Sequence, residues 1–388
     1  MRILTVLTYY RPHTSGLTIY AERMGRAFAR RGHQVTVFTS QFDKTTAREE
    51  SKDGVHIVRS PVALRISKGV IMPWFGAQVT GQVWRHDVVH LHLPQFDAPG
   101  VAFRARLMGK PVVLTYHCDL TMPAGLLNRA ANQVIHFQNA MAGMLADHIV
   151  TYTQDYADHS PYLSRYKHKL TPILPPVELP PAGPGAIEAF GGVHRVDERR
   201  PVIGMAARFA SEKGVEILLD ALPAILESYP RAQVLFAGQH EHVFAEQLYA
   251  ERLMPRLRKY EAEGHWKFLG VLNPEQMAAY YPNLDALVVP SLNSTEAFGL
   301  VQIEAMMNNV PCVASALPGV RQPVLTTGMG RVVPIGDSAA LAGALLDIFA
   351  EPEKYRRDPL EIARPYNPDS VAAEYERLFE TLAKRNRQ

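Results

Sequence analysis

Short runs of apolar and β-branched residues alternate along the chain with longer segments whose apolar positions recur every three or four residues. In the first half these runs predict strands at ILTVLTYY, QVTVFTS, VHIVRS, VVHLHL, PVVLTYH and HIVTYT. Amphipathic stretches such as IYAERMGRAFARRGH and LLNRAANQVIHFQNAMAGMLADH lie between them and predict helices. Strands that alternate with helices are typical of parallel sheets with helical crossovers. The first half is therefore predicted to form a doubly wound α/β unit.

A second unit follows a linker. The segment KLTPILPPVELPPAGPG is rich in proline and glycine, and after it the strand pattern restarts with PVIGMAAR, AQVLFAG, WKFLG, ALVVPS and PCVAS. A last amphipathic stretch, from Ser370 to about Lys384, has no strand after it, so it must pack on a structure already formed. We predict domains at residues 1–178 and 179–366, and a C-terminal helix at residues 367–388.

Composition narrows the class of protein. With 388 residues, 47% of them hydrophobic and 20% charged, the chain can form two globular cores, which argues against disorder. Cys118 and Cys312 are too few for a disulfide framework or a thiolate metal site, which favours a reducing compartment. The first residues do not resemble a signal peptide, and no apolar stretch reaches the length of a membrane span. We expect a cytoplasmic protein, soluble or peripheral to a membrane, without a metal site.

The loop after PVIGMAAR carries the first candidate chemistry. Ligands of open α/β sheets bind beyond the carboxyl ends of the strands, so two such units facing each other would form a cleft lined by strand-to-helix loops. This loop reads RFASEKG and holds Arg208 and Lys213 where a strand ends and a helix begins. Two cations near helix-start N–H groups suit a diphosphate. Solvated basic residues at a helix start are also common, so the loop alone leaves both interpretations open.

The segment TEAFGLVQIEAM follows ALVVPS and combines an apolar sequence with two carboxylates, Glu296 and Glu304. If a helix begins near Gly299, the amides of Phe298, Gly299 and Leu300 face the cleft, and the glycine permits close approach of a phosphate. A carboxylate can accept two hydrogen bonds from a vicinal diol. Either glutamate alone could be a helix cap or an ion-pair partner.

Taken together, the basic loop and the two carboxylates describe one kind of ligand. Cations and amides would hold a diphosphate, and two carboxylates at different depths would hold hydroxyl-rich groups on either side of it. A molecule with a diol, a diphosphate and a polyol in line is a nucleoside diphosphate sugar.

These motifs resemble the family 4 retaining glycosyltransferases of the GT-B fold. The segments that carry the resemblance are RFASEKGVEILLDAL, ALVVPSLNSTEAFGLVQIEAM and YYRPHTSGLTIYAERMGRAFARRGHQVTVFTS, and it extends over essentially the whole chain. It implies two doubly wound Rossmann-like domains facing each other across a cleft. The N-terminal domain would bind the acceptor, the C-terminal domain would bind the sugar nucleotide, and the last helix would cross back to the first domain.

The resemblance also implies an activity. It is the transfer of a hexosyl unit from a UDP-sugar or GDP-sugar to a hydroxyl of a glycolipid, polysaccharide or small molecule, with retention and without metal or cofactor. Arg208 and Lys213 would bind the diphosphate, Glu296 the donor sugar and Glu304 the ribose, and the amides of residues 298–300 would complete the anion site. In TYHCDL, His117 resembles the family's active-site histidine near the donor sugar, which completes a catalytic set of His117, Arg208, Lys213 and Glu296.

Three segments depart from the family pattern. Gly16 in HTSGLT resembles the mobile glycine-rich loop after the first strand, but a serine precedes it where a glycine pair is usual. The segment AGQHEH at residues 237–242 replaces a Gly-x-Gly turn. In ALPGVRQPV, Pro318 and Gln322 stand where Gly-Gly-x-x-Glu is common. These departures concern the subfamily and the donor rather than the class of reaction.

Three other functions share parts of this pattern. A sugar-nucleotide epimerase of similar architecture is the main alternative, but it would need acid and base carboxylates at the sugar, and the combination of Arg208, Lys213 and the two glutamates argues against it. A dinucleotide oxidoreductase would need a Gly-x-Gly-x-x-Gly fingerprint, and the first strand leads into YYRPHTSGLT with a single glycine. A non-catalytic sugar-binding module would not need the diphosphate cations. No nucleic-acid partner is predicted.

Charge is distributed unevenly along the chain. Residues 1–178 carry 20 Lys and Arg against 12 Asp and Glu, and the remaining residues carry 21 against 26. Arg23, Arg26 and Arg30 recur at helical spacing, with Arg31 next to them, and are predicted to share a face. Such a face could dock on an anionic membrane surface or hold a phosphate-bearing lipid acceptor, with apolar residues of IMPWFGAQVTGQVW against the lipid. It could equally be a solvated helix face, and IMPWFGAQVTGQVW a crossover helix.

Overall fold

The structure, a computed structural model, describes residues 1–66, 69–120, 126–243 and 245–386. It divides into two compact units, Met1–Val177 with Pro365–Gln388, and Glu178–Arg364. Each unit contains a largely parallel sheet with helices packed on it, which confirms the predicted doubly wound α/β class. Among the helices of the described ranges, none combines the length and the apolar character needed to cross a membrane.

The first unit is built on an eight-stranded sheet in the order β10-β9-β8-β7-β1-β2-β4-β3, parallel except for β3. Its strands are β1 (Arg2–Val6), β2 (Gln34–Gln41), β3 (Glu49–Lys52), β4 (Val55–Pro61), β5 (Leu64–Ile66), β6 (Gly69–Ile71), β7 (Val88–Leu93), β8 (Val112–Tyr116), β9 (His148–Thr151) and β10 (Leu170–Pro172). Its helices up to residue 177 are α1 (Gly16–Arg30), α2 (Phe75–Arg85), α3 (Ala98–Leu107), α4 (Leu126–Leu145) and α5 (Gln154–His159). The six predicted strands are β1, β2, β4, β7, β8 and β9, and all are confirmed; β5 and β6 form a separate hairpin.

Chain direction decides which helices share a face of this sheet. From β1 the chain steps to β2 and β4, whereas from β7 it steps the opposite way to β8, β9 and β10. Right-handed crossovers then place α1 on one face and α3 and α4 on the other. Helix α2 packs beside α3, and α3 beside α4. The order of strands reverses between β1 and β7, which is where doubly wound sheets bind ligands.

The second unit has a six-stranded parallel sheet in the order β13-β12-β11-β14-β15-β16. Its strands are β11 (Val202–Ala206), β12 (Gln233–Ala237), β13 (Trp266–Gly270), β14 (Ala286–Val289), β15 (Cys312–Ser315) and β16 (Gly330–Val333). Its helices are α6 (Pro184–Val193), α7 (Val215–Ser228), α8 (Gln247–Ala262), α9 (Pro274–Tyr280), α10 (Leu300–Met306), α11 (Gln322–Thr327), α12 (Ser338–Ala350) and α13 (Pro359–Ala363). The five predicted strands β11 to β15 are confirmed, and β16 was not predicted. The core contains Phe209, Phe236 and Trp266, all buried.

The last helix, α14 (Pro368–Arg385), belongs to the first unit and packs on α1. Asn367 caps its first turn by accepting a hydrogen bond from the amide of Asp369 at 2.9 Å. Its buried face presents Tyr375 and Phe379, whose rings lie 6.3 and 5.6 Å from the ring of Phe28 in α1. Burial of these aromatic side chains is what holds a terminal helix that has no strand after it.

Three of the arginines on and just after α1, Arg23, Arg30 and Arg31, contact neighbouring segments of the same unit, although Arg30 remains exposed. The side chain of Arg23 is only 6% exposed and donates to the carbonyl oxygen of Pro176 at 3.1 Å. Arg30 forms an ion pair of 3.0 Å with Asp369, and Arg31 pairs with Glu376. The prediction of one exposed basic face on α1 is therefore wrong for Arg23, because α14 and the segment before residue 177 cover this side. Carboxylates of α14 compensate the charges of Arg30 and Arg31.

Candidate active site

The two loops singled out from the sequence meet at the reversal point of the second sheet. Strands β11 and β14 are parallel neighbours, and the chain leaves them toward opposite edges. The basic loop follows β11, and the loop with Glu296 follows β14. They are joined by a backbone hydrogen bond from the amide of Leu292 to the carbonyl of Glu212, 2.9 Å long. The fold thus places the predicted site where open α/β sheets bind ligands.

Gly214 permits the close approach of these loops. It ends the short 3₁₀ turn Ser211–Lys213 and precedes α7 with φ of +68°, a left-handed conformation that side chains disfavour. A β-carbon at this position would lie 2.2 Å from the carbonyl oxygen of Pro290 in the second loop. Both the backbone angle and the contact therefore require glycine.

We expect Gly214→Ala to destabilise the second unit by roughly 2 kcal/mol or more, because the backbone must leave its conformation and the loops must separate. Gly343→Ala is the matched control: Gly343 lies inside α12, where a β-carbon would meet nothing within 4 Å. That exchange should stabilise the helix by about 0.5–1 kcal/mol. Urea unfolding of both variants measures the difference, and equal stabilities would show that the loops are not held by Gly214.

Lys213 and the amide of Gly299 converge on a single carboxylate. The Nζ of Lys213 lies 2.7 Å from Oε2 of Glu296, and the side chains are 18% and 24% exposed. The other oxygen, Oε1, accepts a hydrogen bond from the backbone N–H of Gly299 at 3.0 Å. A cation and a main-chain dipole are thus aimed at one place. They form a partly buried site for a negatively charged group.

Helix α10 begins where the sequence predicted. Gly299 is its N-cap residue with φ of 76°, and Leu300 is its first residue. A β-carbon on Gly299 would lie 2.8 Å from Nε2 of Gln302. That buried amide donates to the carbonyls of Phe298 and Val320, both at 2.9 Å. Together with the burial of the Phe298 side chain, these bonds fix the loop that presents the Gly299 amide.

Arg208 is held within its own loop. Its Nη2 lies 2.9 Å from Oε1 of Glu212, four residues on, and the side chains are 47% and 19% exposed. The loop therefore brings two cations close together in sequence, each paired with a different carboxylate. Arg208 is the more exposed of the two, so its guanidinium can exchange partners at a small cost in free energy.

Glu304 lies deeper than the other predicted residues. It is 8% exposed, and its Oε2 accepts a hydrogen bond from the hydroxyl of Tyr281 at 2.7 Å. Burial, and secondly the neighbouring Glu304 carboxylate, raise the pKa of Tyr281 well above its ordinary value, so this hydroxyl stays a donor. The tyrosine orients the glutamate.

In the first unit, His117 follows β8 and is one of three clustered histidines rather than the isolated one that the sequence suggested. Its Nε2 lies 2.8 Å from Nδ1 of His92, and its Nδ1 is hydrogen-bonded to the hydroxyl of Tyr152. The rings of His90 and His92 are 4.3 Å apart on β7. The sequence signal for this cluster was HLH inside a buried strand, where alternate residues share a face.

The cluster is neutral. Burial lowers the pKa of His92 to about 3 and the pKa values of His90 and His117 well below the ordinary value. In the hydrogen bond between the two neutral imidazoles of His92 and His117, one ring donates its N–H and the other accepts. In either case both ring nitrogens of His117 are hydrogen-bonded, one to His92 and the other to Tyr152. The ring is therefore held in place rather than free to exchange a proton. Across the described ranges, no group of three or more His, Cys, Asp or Glu side chains is placed to hold a metal ion.

This neutral cluster predicts a loss of stability in acid. Unfolded histidines take up protons below a pKa near 6.5, whereas the folded cluster does not, so the stabilisation is present above that pH and is lost as the pH falls from about 6.5 toward 3. The loss is roughly 1 kcal/mol per pH unit for each histidine. Thermal melting of the wild type and of His92→Asn between neutral and mildly acidic pH measures it. The melting temperature of His92→Asn should depend less on pH than that of the wild type. The control His56→Gln, at an exposed histidine, should show the same pH dependence as the wild type. Identical pH dependence in His92→Asn and the wild type would contradict the assignment.

Gly16 is the first residue of α1 rather than part of an extended loop. The preceding Ser15 caps the helix: its Oγ accepts from the amide of Thr18 at 3.2 Å, and the hydroxyl of Thr18 accepts from the amide of Ser15 at 2.7 Å. Ser15, which stands before Gly16 where a glycine pair is usual, thus caps the first turn of α1. Gly16 itself is exposed, and a β-carbon there would meet no atom within 4 Å.

The loop after β7 contains polar residues that sequence reasoning missed. It lies at the reversal point of the first sheet, next to the loop after β1. Gln95 is 3% exposed, and in the described part of the chain its side-chain amide has no hydrogen-bond partner. Burial raises the pKa of Asp97 to about 6. Polar residues directly after an apolar strand were the available signal, and they make this loop a candidate for binding a hydroxyl-rich molecule.

Comparison with known proteins agrees with this geometry. Residues 14–179 match the family described as Glycosyltransferase Family 4, and residues 187–364 match Glycosyl transferases group 1. The phosphatidyl-myo-inositol mannosyltransferase of Mycobacterium leprae is 27% identical, with 99% of this chain and 97% of the relative covered. A glycogen synthase of Mycobacterium tuberculosis is 26% identical over 92% of this chain and 88% of its own length. The crystal structure of Anabaena HepE with UDP and glucose has a TM-score of 0.75 at 18% identity, covering 98% of this chain and 99% of that one.

The two family matches together take in most of the chain, and the HepE structure shares the fold of both units. The predicted resemblance is thereby confirmed, and with it the class of reaction, sugar transfer from a nucleotide sugar. The chain belongs to the family 4 glycosyltransferases of the GT-B fold.

Proposed function

We propose that this enzyme moves a hexosyl unit from a UDP-sugar or GDP-sugar to a hydroxyl acceptor, with retention of configuration and without a metal ion. The observation that carries the proposal is the convergence of Lys213 Nζ and the Gly299 amide on one carboxylate at the reversal point of the second sheet. A diphosphate offers the same kind of oxygen ligands with more charge. It can therefore replace the carboxylate of Glu296 at both donors.

When a diphosphate replaces the Glu296 carboxylate at Lys213 and Gly299, that carboxylate would become available for the donor sugar. Released in this way, the Glu296 carboxylate can accept hydrogen bonds from hydroxyls of the donor sugar. Arg208, oriented by Glu212, would bind the diphosphate as a second cation. Glu304, oriented by Tyr281, would accept from the ribose hydroxyls. In this arrangement the three parts of a sugar nucleotide follow one another along the loop and α10.

The chemistry follows from where charge develops. The bond between the anomeric carbon and the diphosphate oxygen breaks, and negative charge grows on the leaving oxygens next to Lys213, Arg208 and the Gly299 amide. Preorganised cations and dipoles at that position lower the barrier. The acceptor oxygen attacks the anomeric carbon from the same face and passes its proton to the leaving phosphate. The resemblance assigns His117 to the donor sugar, and this side chain is neutral with both of its ring nitrogens engaged.

The acceptor is proposed only as a hydroxyl compound: a glycolipid, a polysaccharide or a small molecule. The names of the relatives include phosphatidyl-myo-inositol and glycogen, and another, 26% identical over 88% of this chain, is a 2-deoxystreptamine N-acetyl-D-glucosaminyltransferase of Streptomyces fradiae. In the first unit, the buried amide of Gln95 and the carboxyl of Asp97 are the polar groups that we propose meet the acceptor.

A thermal-shift panel of nucleoside diphosphates and sugar nucleotides tests the donor. A ligand that binds only the folded state stabilises it by about 2.7 kcal/mol at 100 times its dissociation constant. We expect UDP or GDP, and the matching sugar nucleotides, to raise the melting temperature, and NAD to leave it unchanged. A shift with NAD and none with any nucleoside diphosphate would refute the donor assignment. Conversion of the sugar nucleotide into an isomer, without release of nucleoside diphosphate, would identify an epimerase.

A further inference from the structure

A buried chain of hydroxyl groups joins the last helix to the histidine cluster of the first unit. The hydroxyl of Tyr375 in α14 lies 2.7 Å from the hydroxyl of Tyr20 in α1 and 2.7 Å from Oγ1 of Thr115 in β8. Thr115 is in turn hydrogen-bonded to Nε2 of His90 at 2.7 Å. All of these side chains are fully buried. A hydroxyl in such a place has no water to replace a lost partner, so each of these bonds constrains the groups that it joins.

The ring of Tyr20 packs directly on His117. The two rings meet edge to face, with centroids 5.0 Å apart and an interplanar angle of 89°. Tyr20 also contacts both hydrogen-bond partners of His117, with centroids 5.8 Å from the ring of His92 and 5.7 Å from that of Tyr152. Bonds to its two nitrogens still leave an imidazole free to tilt about the line that joins them, and a ring packed against it blocks this tilt. The position of Tyr20 therefore helps to set the orientation of His117.

A second path to the cluster runs along the strands. Thr115 and His117 are two residues apart on one chain segment at the end of β8, so their side chains lie on the same face of the sheet. In the parallel register of β7 and β8, Thr115 lies opposite His92. The hydroxyl of Thr115 joins Tyr375 to His90, whose ring lies 4.3 Å from that of His92. Tyr375 therefore reaches the cluster along the strands as well as through α1.

The hydroxyl of Tyr375 is not needed to fill space. Phe379, one turn later in α14, packs on His90 and Phe28 with ring distances of 5.7 and 5.6 Å and has no polar atom. A phenylalanine at position 375 would bury a similar apolar area without taking a hydroxyl out of water, which costs free energy unless the hydroxyl is paired. What the hydroxyl adds is geometry, because it holds a group of α1 and a group of β8 at fixed distances.

We propose that Tyr20 and Tyr375 are positioning residues for sugar transfer, and that their hydroxyl pair holds the imidazole of His117 in the orientation in which it meets the donor sugar. The inference rests on the proposed function, because the contact between His117 and the sugar comes from the family resemblance. Both tyrosines act through His117 and need not touch the substrate. A small rotation of the imidazole is enough to slow the reaction, since misplacing a group by about 1 Å can cost roughly 10²-fold in rate.

Kinetics of Tyr20→Phe, Tyr375→Phe and the double variant test the proposal, since each exchange keeps the ring and removes a hydroxyl. We expect kcat to fall about ten-fold in each single variant, while the KM of the sugar nucleotide and the affinity for UDP stay unchanged. The double variant should match Tyr375→Phe, because both exchanges remove the same hydrogen bond. The control Tyr166→Phe removes a hydroxyl that donates to the carbonyl of Ala140 at 2.9 Å in the same unit. It should lower the melting temperature to a similar extent and leave kcat unchanged.

Nuclear magnetic resonance of the histidine rings, labelled with a nitrogen isotope, reports on positioning without any substrate. The N–H in the bond between His92 and His117 should exchange slowly with water in the wild type and in Tyr166→Phe, and faster in Tyr20→Phe and Tyr375→Phe. Unchanged ring signals in the folded Tyr20 and Tyr375 variants would overturn the proposal, and so would changed signals with an unchanged kcat. A wild type that binds no nucleoside diphosphate would instead contradict the proposed function, and the ring signals would still decide whether the tyrosines position His117.

Discussion

Replacing Lys213 by alanine is expected to lower turnover by about 10²-fold or more while the second unit stays folded. The exchange removes a cation from the place where charge grows on the leaving diphosphate, and it also leaves Glu296 without its ion-pair partner. Arg208→Ala should cause a loss of the same order, because the second cation of the loop is removed. The rate of nucleoside diphosphate release measures the effect, with thermal melting to confirm the fold.

The matched control for Arg208 is Arg256→Ala. Arg256 pairs with Asp220 at 2.7 Å, and the two side chains are 49% and 44% exposed, so it is an arginine of similar exposure in a surface ion pair. It lies on α8, away from the two loops. Its replacement should leave turnover unchanged, since exposed pairs contribute little. Near-normal rates in folded Lys213→Ala and Arg208→Ala proteins would remove both cations from the proposed reaction.

The second large expected effect is on ligand binding, and it differs between Glu296 and Glu304. Glu304→Gln keeps an acceptor for the buried Tyr281 hydroxyl, whereas alanine would leave that hydroxyl unpaired at a cost of about 1–3 kcal/mol. Loss of the carboxylate charge should weaken UDP and the sugar nucleotide alike, by roughly ten-fold or more, because both contain the ribose. Glu296→Gln should weaken only the sugar nucleotide. UDP should bind to that variant at least as tightly as to the wild type, because a competing carboxylate no longer occupies Lys213 and Gly299.

Calorimetric titration gives the four dissociation constants, two for each variant. The ligands are UDP and a UDP-sugar, or GDP and a GDP-sugar if the thermal-shift panel selects guanosine. Equal losses for both ligands in both variants would show that the roles are misassigned. A loss of UDP affinity in Glu296→Gln would show that this carboxylate helps to bind the diphosphate rather than competing with it.

The sequence was sufficient for the strands and the order of the units because their signals are local. Runs such as VVHLHL and ALVVPS are buried strands whose composition already identifies them. The glycine at position 299 indicated the start of α10, and the structure gives it the left-handed backbone conformation that favours glycine. The loops with Arg208, Lys213 and Glu296 were found for the same reason: strand ends and helix starts are visible in the sequence. The resemblance to a known family then supplied roles that composition alone left open.

Contacts between distant segments were not predictable in this way. Lys213 and Glu296 are 83 residues apart, and nothing local to either indicates that they form an ion pair. The arginines of α1 and Arg31 looked like an uncompensated basic face because helical spacing shows which residues share a side, not what lies against that side. Carboxylates of α14, more than 300 residues later, pair with Arg30 and Arg31. His117 looked isolated because its partners His92 and Tyr152 lie on other strands or beyond them.

Nuclear magnetic resonance of the reaction measures both the proposed sugar transfer and its stereochemical course. The purified protein is incubated with the sugar nucleotide that gives the largest thermal shift, with a chelator, and with water or simple alkyl glycosides as acceptors. We expect one nucleoside diphosphate released for each sugar transferred, a product with the anomeric configuration of the donor, and a rate about 10²-fold lower in Lys213→Ala. A product of inverted configuration, or a rate that the chelator abolishes and added metal restores, would contradict it.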